Sequence, residues 1–203
     1  MGCAGILWSV QCEDDDFEAF LGKKKTIYWA SLTEEARDRR FVAEAMAELL
    51  DALSVWQLAP VIEPLPEDLE EILVPHLRAP DIEGCVRAIQ EAGAGQPFGV
   101  SIYCDPRQPA ACAARERLAH AQWGLSMKGI FSLTYCAGNK WILWHETLHL
   151  LGAQDHYSLK EFETTCELPT CIMQYAPSEL TVGERPCLCQ ETLGILRRSC
   201  GDD

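Results

Sequence analysis

Five residues, His145-Glu146-Thr147-Leu148-His149, restrict the fold of this chain more than any other segment, because they lie in a stretch without Gly or Pro that runs from 139 to 151. In an α-helix, residues i and i+4 lie one turn apart on one face, so both imidazoles can reach the same metal ion. Glu146 then projects beside a coordination position that the protein leaves open. Gly152 follows three residues after His149 and can take the positive φ that ends a helix. The spacing predicts a metal-binding helix over 139–151.

Asp155 supplies a third ligand six residues after the second histidine, and His156 stands beside it as an alternative. Catalytic Zn²⁺ takes three protein ligands and keeps a fourth position for water. A carboxylate next to that position can take a proton from the water and return it to a leaving group. The pattern predicts a catalytic Zn²⁺ held by His145, His149 and Asp155. Glu146 is expected to act as the general base.

The H-E-x-x-H-x-x-G-x-x-D pattern that runs from His145 to Asp155 resembles the extended zinc signature of the metzincin metallopeptidases. In particular it resembles the snapalysins, in which Asp is the third ligand. The resemblance covers residues 139–176 with specific motifs, and the earlier part of the chain only through the order of its elements. It implies a zincin fold, a Zn²⁺ cofactor and a peptide or protein substrate that pairs as an extra strand with the segment near 129–135.

A second motif lies 18 residues after Asp155, where Cys171-Ile-Met173-Gln-Tyr175 resembles the Met-turn that lies beneath the zinc of metzincins. Tyr175 occupies the place of a tyrosine that approaches the metal in some branches, so the resemblance implies that it helps to stabilise the oxyanion. Without the resemblance, Met173 would be an ordinary core residue and Tyr175 a core aromatic. The resemblance also implies that residues 176–184 line the pocket for the side chain after the scissile bond.

The chain has 11 cysteines, an odd number that disulfides within the chain cannot use up. Four of them, Cys166, Cys171, Cys187 and Cys189, resemble the four-cysteine structural zinc site of the archaemetzincins. Their last pair is C-x-C here, where that family has C-x-x-C. The spacings allow a second, structural Zn²⁺ or two disulfides. We expect zinc, because the sequence shows no secretion signal.

Charge and hydropathy argue against two classes of partner. Lys and Arg number 17 against 31 Asp and Glu, and the formal net charge of −14 argues against binding to nucleic acid. No run of 18 apolar residues is present, so we expect no membrane span. The first residues carry no Lys or Arg before a short apolar stretch, which makes a poor secretory signal. A cytoplasmic location is therefore favoured, with secretion as the alternative.

Hydrophobic periodicity and turn residues predict an α+β fold, and the resemblance implies that it is zincin/metzincin-like. We expect a mixed twisted sheet with backing helices and the metal-binding helix, then a small irregular C-terminal subdomain that ends in a helix. The expected units are a lead-in segment at 1–24, an N-terminal subdomain at 25–152 and a C-terminal subdomain at 153–203. A capping box from Ser31 to Glu34 marks the first helix. The expected strands are 26–30, 61–62, 98–104 and 126–135, and the expected helices are 33–57, 67–77, 81–92, 110–123, 139–151 and 190–199.

These features favour a zinc-dependent metalloendopeptidase that hydrolyses peptide bonds. Two other classes stay open. If Asp155 and His156 both bind the metal, four protein ligands close the site and the chain is a non-catalytic, zinc-stabilised interaction protein. The same water and carboxylate chemistry would also serve a metal-dependent amidohydrolase of non-peptide substrates. Glu146 favours catalysis, because a structural site needs no such base.

Overall fold

The structure, a computed structural model, describes residues 26–32, 35–78, 82–93, 98–104, 124–127, 130–134, 139–156, 166, 168, 170–174 and 187–200. The strands are β1 (Thr26–Ser31), β2 (Val61–Pro64), β3 (Phe98–Tyr103), β4 (Gly124–Met127) and β5 (Phe131–Thr134). The helices are α1 (Ala36–Val55), α2 (Glu67–Arg78), α3 (Ile82–Ala92), α4 (Lys140–Leu150) and α5 (Gln190–Cys200). The predicted lead-in segment at 1–24 and the predicted helix at 110–123 lie outside the described residues.

The five strands form one sheet in the order β2-β1-β3-β5-β4. Strands β1, β2, β3 and β5 run parallel, and β4 is an antiparallel strand at one edge. All six residues of β3 are buried, as expected for the centre of a parallel sheet with helices on both faces. The predicted mixed sheet with backing helices is therefore present, and the described part of the chain has a mixed α/β architecture.

The sheet lies between two hydrophobic clusters. On one face, α1 and α4 pack over Ile27 of β1, and Trp144 of α4 donates its Nε1–H to the backbone oxygen of Ala45 in α1 at 2.8 Å. On the other face, α2 and α3 pack over Val100 of β3 and Phe131 of β5. The first cluster also includes apolar side chains from the C-terminal region, namely Ile172, Met173, Leu188, Leu193 and Leu196. Helix α4 therefore packs against the sheet and also against apolar side chains of the C-terminal region.

One strand prediction is wrong, because the segment expected as a single strand at 126–135 forms two antiparallel strands, β4 and β5. Ser126 pairs with Ser132, which requires the chain to reverse between them. In the sequence, a glycine at position 129 comes between the two strands. Apolar and polar residues alternate both before and after the point where the chain reverses. The strand-like period of two therefore does not reveal the reversal. As a result β5, and with it most of the 129–135 segment expected to pair with substrate, is inside the sheet.

The first helix begins later than predicted. Helix α1 spans Ala36–Val55 rather than 33–57, and Ser31, the expected capping residue, pairs with Tyr103 at the end of β1. Because Ser31 belongs to a strand, it does not cap the helix, and Glu35 precedes α1 without a side-chain cap. The predicted apolar face is buried at Val42, Ala45, Met46, Leu49 and Leu53, whereas Trp56, also predicted on this face, follows the helix and is half-buried.

The other four described helices match their predicted bounds to within one residue. Helix α2 continues through Pro75, although proline lacks the backbone donor of a regular helix residue. Within the described part of the chain, no helix combines the length and the apolar character needed to cross a lipid bilayer.

Leu49→Ala tests the packing of α1, since this side chain is fully buried in the first cluster. We expect the free energy of unfolding to fall by about 2–5 kcal/mol, because the substitution loses apolar burial and leaves a cavity. Val55→Ala on the same helix is the control: Val55 is 78% exposed, and the change should stay within about 0.5 kcal/mol. Urea denaturation measures both variants, and equal losses would contradict the packing described.

Candidate metal centres

Helix α4 is held against the sheet by a chain of buried hydroxyl groups. Thr147 donates its hydroxyl hydrogen to the backbone oxygen of Leu143 at 2.7 Å, so Ser101 on β3 is the donor to Thr147 at 2.9 Å. Ser132 on β5 donates to Ser101 at 3.2 Å. At the helix start, the side chain of Asn139 accepts a backbone N–H from two residues on, at 3.0 Å. His145 and His149 each lie two residues from Thr147, and side chains two residues apart on a helix point about 200° apart. Because Thr147 faces the sheet, both histidines face away from it.

Gly152 ends α4 and turns the chain back toward the second histidine. Its φ is 97°, which glycine adopts without a Cβ penalty. The N–H of Gly152 donates to the oxygen of His149 at 3.0 Å, and the N–H of Ala153 donates to that of Leu148 at 3.1 Å. These two hydrogen bonds form a Schellman motif. The helix ends at the predicted glycine, and the segment after it brings Asp155 to the histidines.

The donor atoms of the three predicted metal ligands converge. Nε2 of His145 and Nε2 of His149 are 3.2 Å apart, and Oδ1 of Asp155 lies 3.1 Å from the first and 3.3 Å from the second. Donor atoms about 2.0 Å from a tetrahedral ion lie about 3.3 Å from one another. The three atoms therefore have the spacing of one face of a tetrahedron and fit Zn²⁺. We call His145, His149 and Asp155 the triad.

Backbone oxygens orient both imidazoles of the triad. Nδ1 of His145 lies 2.8 Å from the oxygen of Ile172, and Nδ1 of His149 lies 2.7 Å from the oxygen of Ala153. A carbonyl oxygen only accepts, so each Nδ1 carries the hydrogen and each neutral ring keeps a lone pair on Nε2. This is the tautomer that binds a metal through Nε2. Neither carbonyl can be identified as a partner from the sequence pattern.

Exposure and charge vary across the triad. The side chains of His145, His149 and Asp155 are 7, 15 and 35% exposed, so the site opens to solvent on the Asp155 side. Burial opposes a charge on His149, but the carboxylates of Asp155 and Glu146 outweigh it and raise its pKa to about 9. Burial also disfavours the carboxylate of Asp155, but the hydrogen bonds that the two imidazoles donate from Nε2 when they are protonated lower its pKa. The site therefore favours positive charge next to Asp155, and a bound cation would supply it.

Glu146 lies beside the triad and is 8% exposed. Burial raises the pKa of its carboxyl group, and the charges of the two histidines oppose that rise. The negative charge of Asp155 adds to the rise. A cation held by the triad would act in the same direction as the histidine charges and favour the carboxylate form. A metal ion would therefore help to keep Glu146 ready to accept a proton.

Four further donor atoms lie within 4.8 Å of one another and form a second group. They belong to His156, Cys166, Cys171 and Cys189, which we call the His-Cys3 cluster. Nδ1 of His156 is 3.3 Å from Sγ of Cys189 and 3.8 Å from Sγ of Cys171. In a tetrahedral site with Zn–S bonds of about 2.3 Å and Zn–N bonds of about 2.0 Å, nitrogen and sulfur lie about 3.5 Å apart. This cluster could bind a metal ion through four protein ligands.

The His-Cys3 cluster differs at one position from the four cysteines predicted to bind a structural zinc. His156, the alternative third ligand of the triad, lies in this cluster, whereas Cys187 lies outside it with Sγ 3.1 Å from Oγ1 of Thr170. Asp155 and His156 are consecutive, and consecutive side chains outside a helix point in different directions, so each reaches a different site. Cys187 is a free thiol in this structure.

The first turn of α5 supports the cluster, a role that the sequence did not indicate. Cys189 directly precedes α5, and its Sγ accepts the backbone N–H of Thr192 at 3.5 Å and lies 3.3 Å from the Thr192 hydroxyl. Burial disfavours a thiolate at Cys189, but the contacts with Thr192 lower its pKa, whereas burial raises the pKa of Cys171 to about 12. Oγ1 of Thr192 also lies 3.3 Å from Nε2 of His156. Cysteine is not a usual capping residue, so capping patterns did not reveal this turn.

The predicted Met-turn segment contacts both sites. Met173 is fully buried in the first hydrophobic cluster, and its backbone oxygen accepts the N–H of His156 at 2.8 Å. The residue before it, Ile172, accepts from His145 of the triad. Tyr175 and the predicted pocket segment at 176–184 lie outside the described residues.

The two sites differ in the number of protein ligands. Among the described residues, the triad offers three donor atoms with one partly exposed side chain, and the His-Cys3 cluster offers four donors that are buried or half-buried. Zinc sites with three protein ligands keep a position for water, whereas four ligands close a structural site. Because His156 belongs to the cluster, the triad is not closed by Asp155 and His156 together.

Comparison with known proteins finds no counterpart for this chain. No protein family, no curated protein and no solved structure matches it.

Gly152→Ala tests the turn that ends α4. A methyl group would strain the positive φ, so we expect the free energy of unfolding to fall by about 1–2 kcal/mol. Gly194→Ala in α5 is the matched control: the added Cβ would meet only Arg198 Nη1 at 3.9 Å, and alanine should stabilise the helix by about 0.5–1 kcal/mol. Chemical denaturation at saturating Zn²⁺ compares the two, and changes of the same sign would refute the role of this turn.

Proposed function

We propose that this chain is a zinc-dependent metalloendopeptidase whose catalytic centre is the triad together with Glu146. The observation that carries the proposal is the convergence of His145 Nε2, His149 Nε2 and Asp155 Oδ1 at 3.1–3.3 Å beside a buried carboxylate. Three donors with an accessible side suit a catalytic metal better than a structural one. The resemblance of this segment to the metzincin signature supports the same assignment.

The donor sets favour Zn²⁺ at both sites. Zn²⁺ accepts His nitrogen, carboxylate oxygen and Cys sulfur in tetrahedral geometry. We assign one catalytic ion to the triad and one structural ion to the His-Cys3 cluster. Thiolate ligands must stay reduced, so a reducing compartment such as the cytoplasm is favoured, with secretion as the alternative.

The chemistry divides between the metal and the residues around it. Zn²⁺ supplies Lewis acidity, which polarises the carbonyl group of a substrate and makes a water molecule a stronger acid. His145 and His149 present Nε2 to the ion because backbone oxygens hold their Nδ1 atoms. The carboxylate of Glu146 takes a proton from the attacking water and passes it to the leaving amine. Tyr175 is assigned to stabilise the negative charge that develops on the carbonyl oxygen.

The proposed substrate is an extended segment of a peptide or protein that binds along the edge of the sheet. The resemblance implied the segment near 129–135 for this role, but β5 has neighbours on both sides, and β4 is the edge strand next to it in the described sheet. Strands β4 and β5 both pack against α4, so this edge lies beside the helix that carries the triad histidines. Extended peptides add to exposed sheet edges through backbone hydrogen bonds. β4 is therefore the strand to which we assign substrate pairing.

Two other functions remain in competition. A metal-dependent amidohydrolase of non-peptide substrates would use the same groups. A non-catalytic, zinc-stabilised interaction protein would need neither the accessible side of the triad nor Glu146. The burial of a carboxylate beside a three-donor site favours hydrolysis over the second, because burying an acidic group is costly and a structural site gains nothing from it.

Metal content distinguishes the two sites. With thiol reductant and saturating Zn²⁺, we expect the chain to hold an ion at each site and His149→Ala to lose the ion of the triad. The remaining ion should be bound by sulfur, which Co²⁺ substitution reveals as a sulfur-to-metal charge-transfer band. His76→Ala on α2 is the control and should keep both ions. Unchanged metal content in His149→Ala would contradict the assignment of the triad.

Glu146→Gln should abolish peptide cleavage while Zn²⁺ stays bound, because glutamine keeps the shape of the side chain but cannot take up the proton. We expect kcat/KM on a diverse peptide library to fall by about 10²–10⁴-fold. Glu63→Gln, at an exposed position of β2, is the control and should cleave like the wild type.

The outcomes of this experiment separate the three functions. Cleavage that survives in Glu146→Gln would refute the role of Glu146 as general base. Bound zinc without cleavage by the wild type would favour the interaction protein, or the amidohydrolase if a panel of non-peptide amides is hydrolysed.

A further inference from the structure

We propose that the His-Cys3 cluster is a positioning site for the triad, so that a metal ion in the cluster raises the affinity of the triad for its own metal ion. The inference rests on metal binding by the triad, and it does not require that the chain cleaves peptides. Two short segments carry it, because each contributes one contact to the triad and one ligand to the cluster.

The first segment is the dipeptide Asp155-His156. Oδ1 of Asp155 lies 3.1 Å from Nε2 of His145 in the triad, and Nδ1 of His156 lies 3.3 Å from Sγ of Cys189 in the cluster. Consecutive Cα atoms are about 3.8 Å apart, so one residue cannot move far without the other. A metal ion that holds His156 therefore also limits where the Asp155 carboxylate can lie.

The second segment is Cys171-Ile172-Met173. Sγ of Cys171 belongs to the cluster, and the backbone oxygen of Ile172 accepts from Nδ1 of His145 in the triad. The backbone oxygen of Met173 accepts the N–H of His156 at 2.8 Å, which joins the two segments to each other. An ion that binds Cys171 and His156 thus holds both the third ligand of the triad and the carbonyl that orients its first ligand.

Regular backbone pairing is sparse around these two segments among the residues that the structure describes. Between α4 and α5 the described residues form no helix or longer strand, and one isolated bridge joins Cys171 to Cys187. The cluster ligands come from positions 156, 166, 171 and 189, so one ion would close three intervals of the chain, 156–166, 166–171 and 171–189. Metal clips that close long loops stabilise the closed arrangement by restricting the open chain. An ion in the cluster would therefore restrain this region in addition to the burial of Ile172 and Met173 in the first hydrophobic cluster.

Without an ion, the cluster offers weak contacts. Two of its contacts join a His156 nitrogen to the sulfurs of Cys189 and Cys171, at 3.3 and 3.8 Å, and thiols are weak hydrogen-bond donors. Loss of the cluster ion would then loosen Asp155 and the Ile172 carbonyl together. Changes in the groups that orient a metal ligand cost about 10–100-fold in metal affinity. We expect a loss of that size at the triad, and linkage requires the triad ion to strengthen the cluster equally.

Cys166→Ser tests the coupling, because Cys166 is a ligand of the cluster but lies in neither of the two segments that reach the triad. The matched control is Cys187→Ser, which changes a half-buried thiol outside the cluster. Zinc affinity at the triad is measured by competition with a chromophoric chelator under reducing conditions. Cys166→His is included as a conservative variant that can still bind the ion.

Cys166→Ser should bind Zn²⁺ at the triad about 10–100-fold more weakly than the wild type. Cys187→Ser should match the wild type, and Cys166→His should recover most of the lost affinity. Wild-type affinity at the triad of Cys166→Ser would overturn the proposal, because the two sites would then be independent. A wild-type chain that binds no ion at the triad would refute the proposed catalytic centre instead, so the two failures are distinct.

A wild-type titration keeps the test valid if Cys166→Ser does not fold, as judged by circular dichroism. Co²⁺ is added stepwise to the metal-free chain, and the sulfur-to-metal charge-transfer band reports the cluster while the remaining d–d absorption reports the triad. Coupling predicts that the triad binds Co²⁺ more tightly when the charge-transfer band is saturated than when it is absent. Equal affinity of the triad for Co²⁺ in the two states would overturn the proposal.

Discussion

The hydrogen bond from Nδ1 of His145 to the backbone oxygen of Ile172 joins α4 to the C-terminal region, and the geometry of the triad depends on it. It decides which nitrogen of a buried ring carries the hydrogen, and so it leaves Nε2 as the atom that faces Asp155 and His149. A buried donor without this acceptor would cost about 1–3 kcal/mol. This bond forms only when the segment that contains Ile172 packs against α4. The geometry of the triad therefore depends on the folding of the C-terminal region.

The proposed ions face different electrostatic surroundings. At the triad, the carboxylates of Asp155 and Glu146 balance the charge of Zn²⁺, and the site can stay partly exposed. At the His-Cys3 cluster, three thiolates around Zn²⁺ leave an excess of negative charge in a mostly buried place. The backbone N–H of Thr192 and the positive end of the α5 dipole face that charge through Cys189. The position of α5 next to the cluster therefore has an electrostatic reason as well as an apolar one.

Directional contacts complement apolar packing around α4. The helix is buried along most of its length, and apolar side chains alone would let it rotate or slide with little cost. The hydroxyl chain from Ser132 through Ser101 to Thr147 removes that freedom, because each group has one hydrogen to donate and a fixed acceptor. The histidines on the opposite side of the helix then meet Asp155 with donor spacings of 3.1 to 3.3 Å.

The sequence by itself determined the features that depend on local spacing. These are the bounds of α4, its end at Gly152, and the identity of the three residues whose donor atoms converge, His145, His149 and Asp155. Helix periodicity and a single turn relate all of these features. Only the tertiary structure decided which donors form the His-Cys3 cluster, where the chain reverses between β4 and β5, and which carbonyls orient the histidines. The cluster ligands come from separated segments, and strand pairing is set between distant residues. Such choices depend on which surfaces pack together, and a short-range pattern carries no information about that.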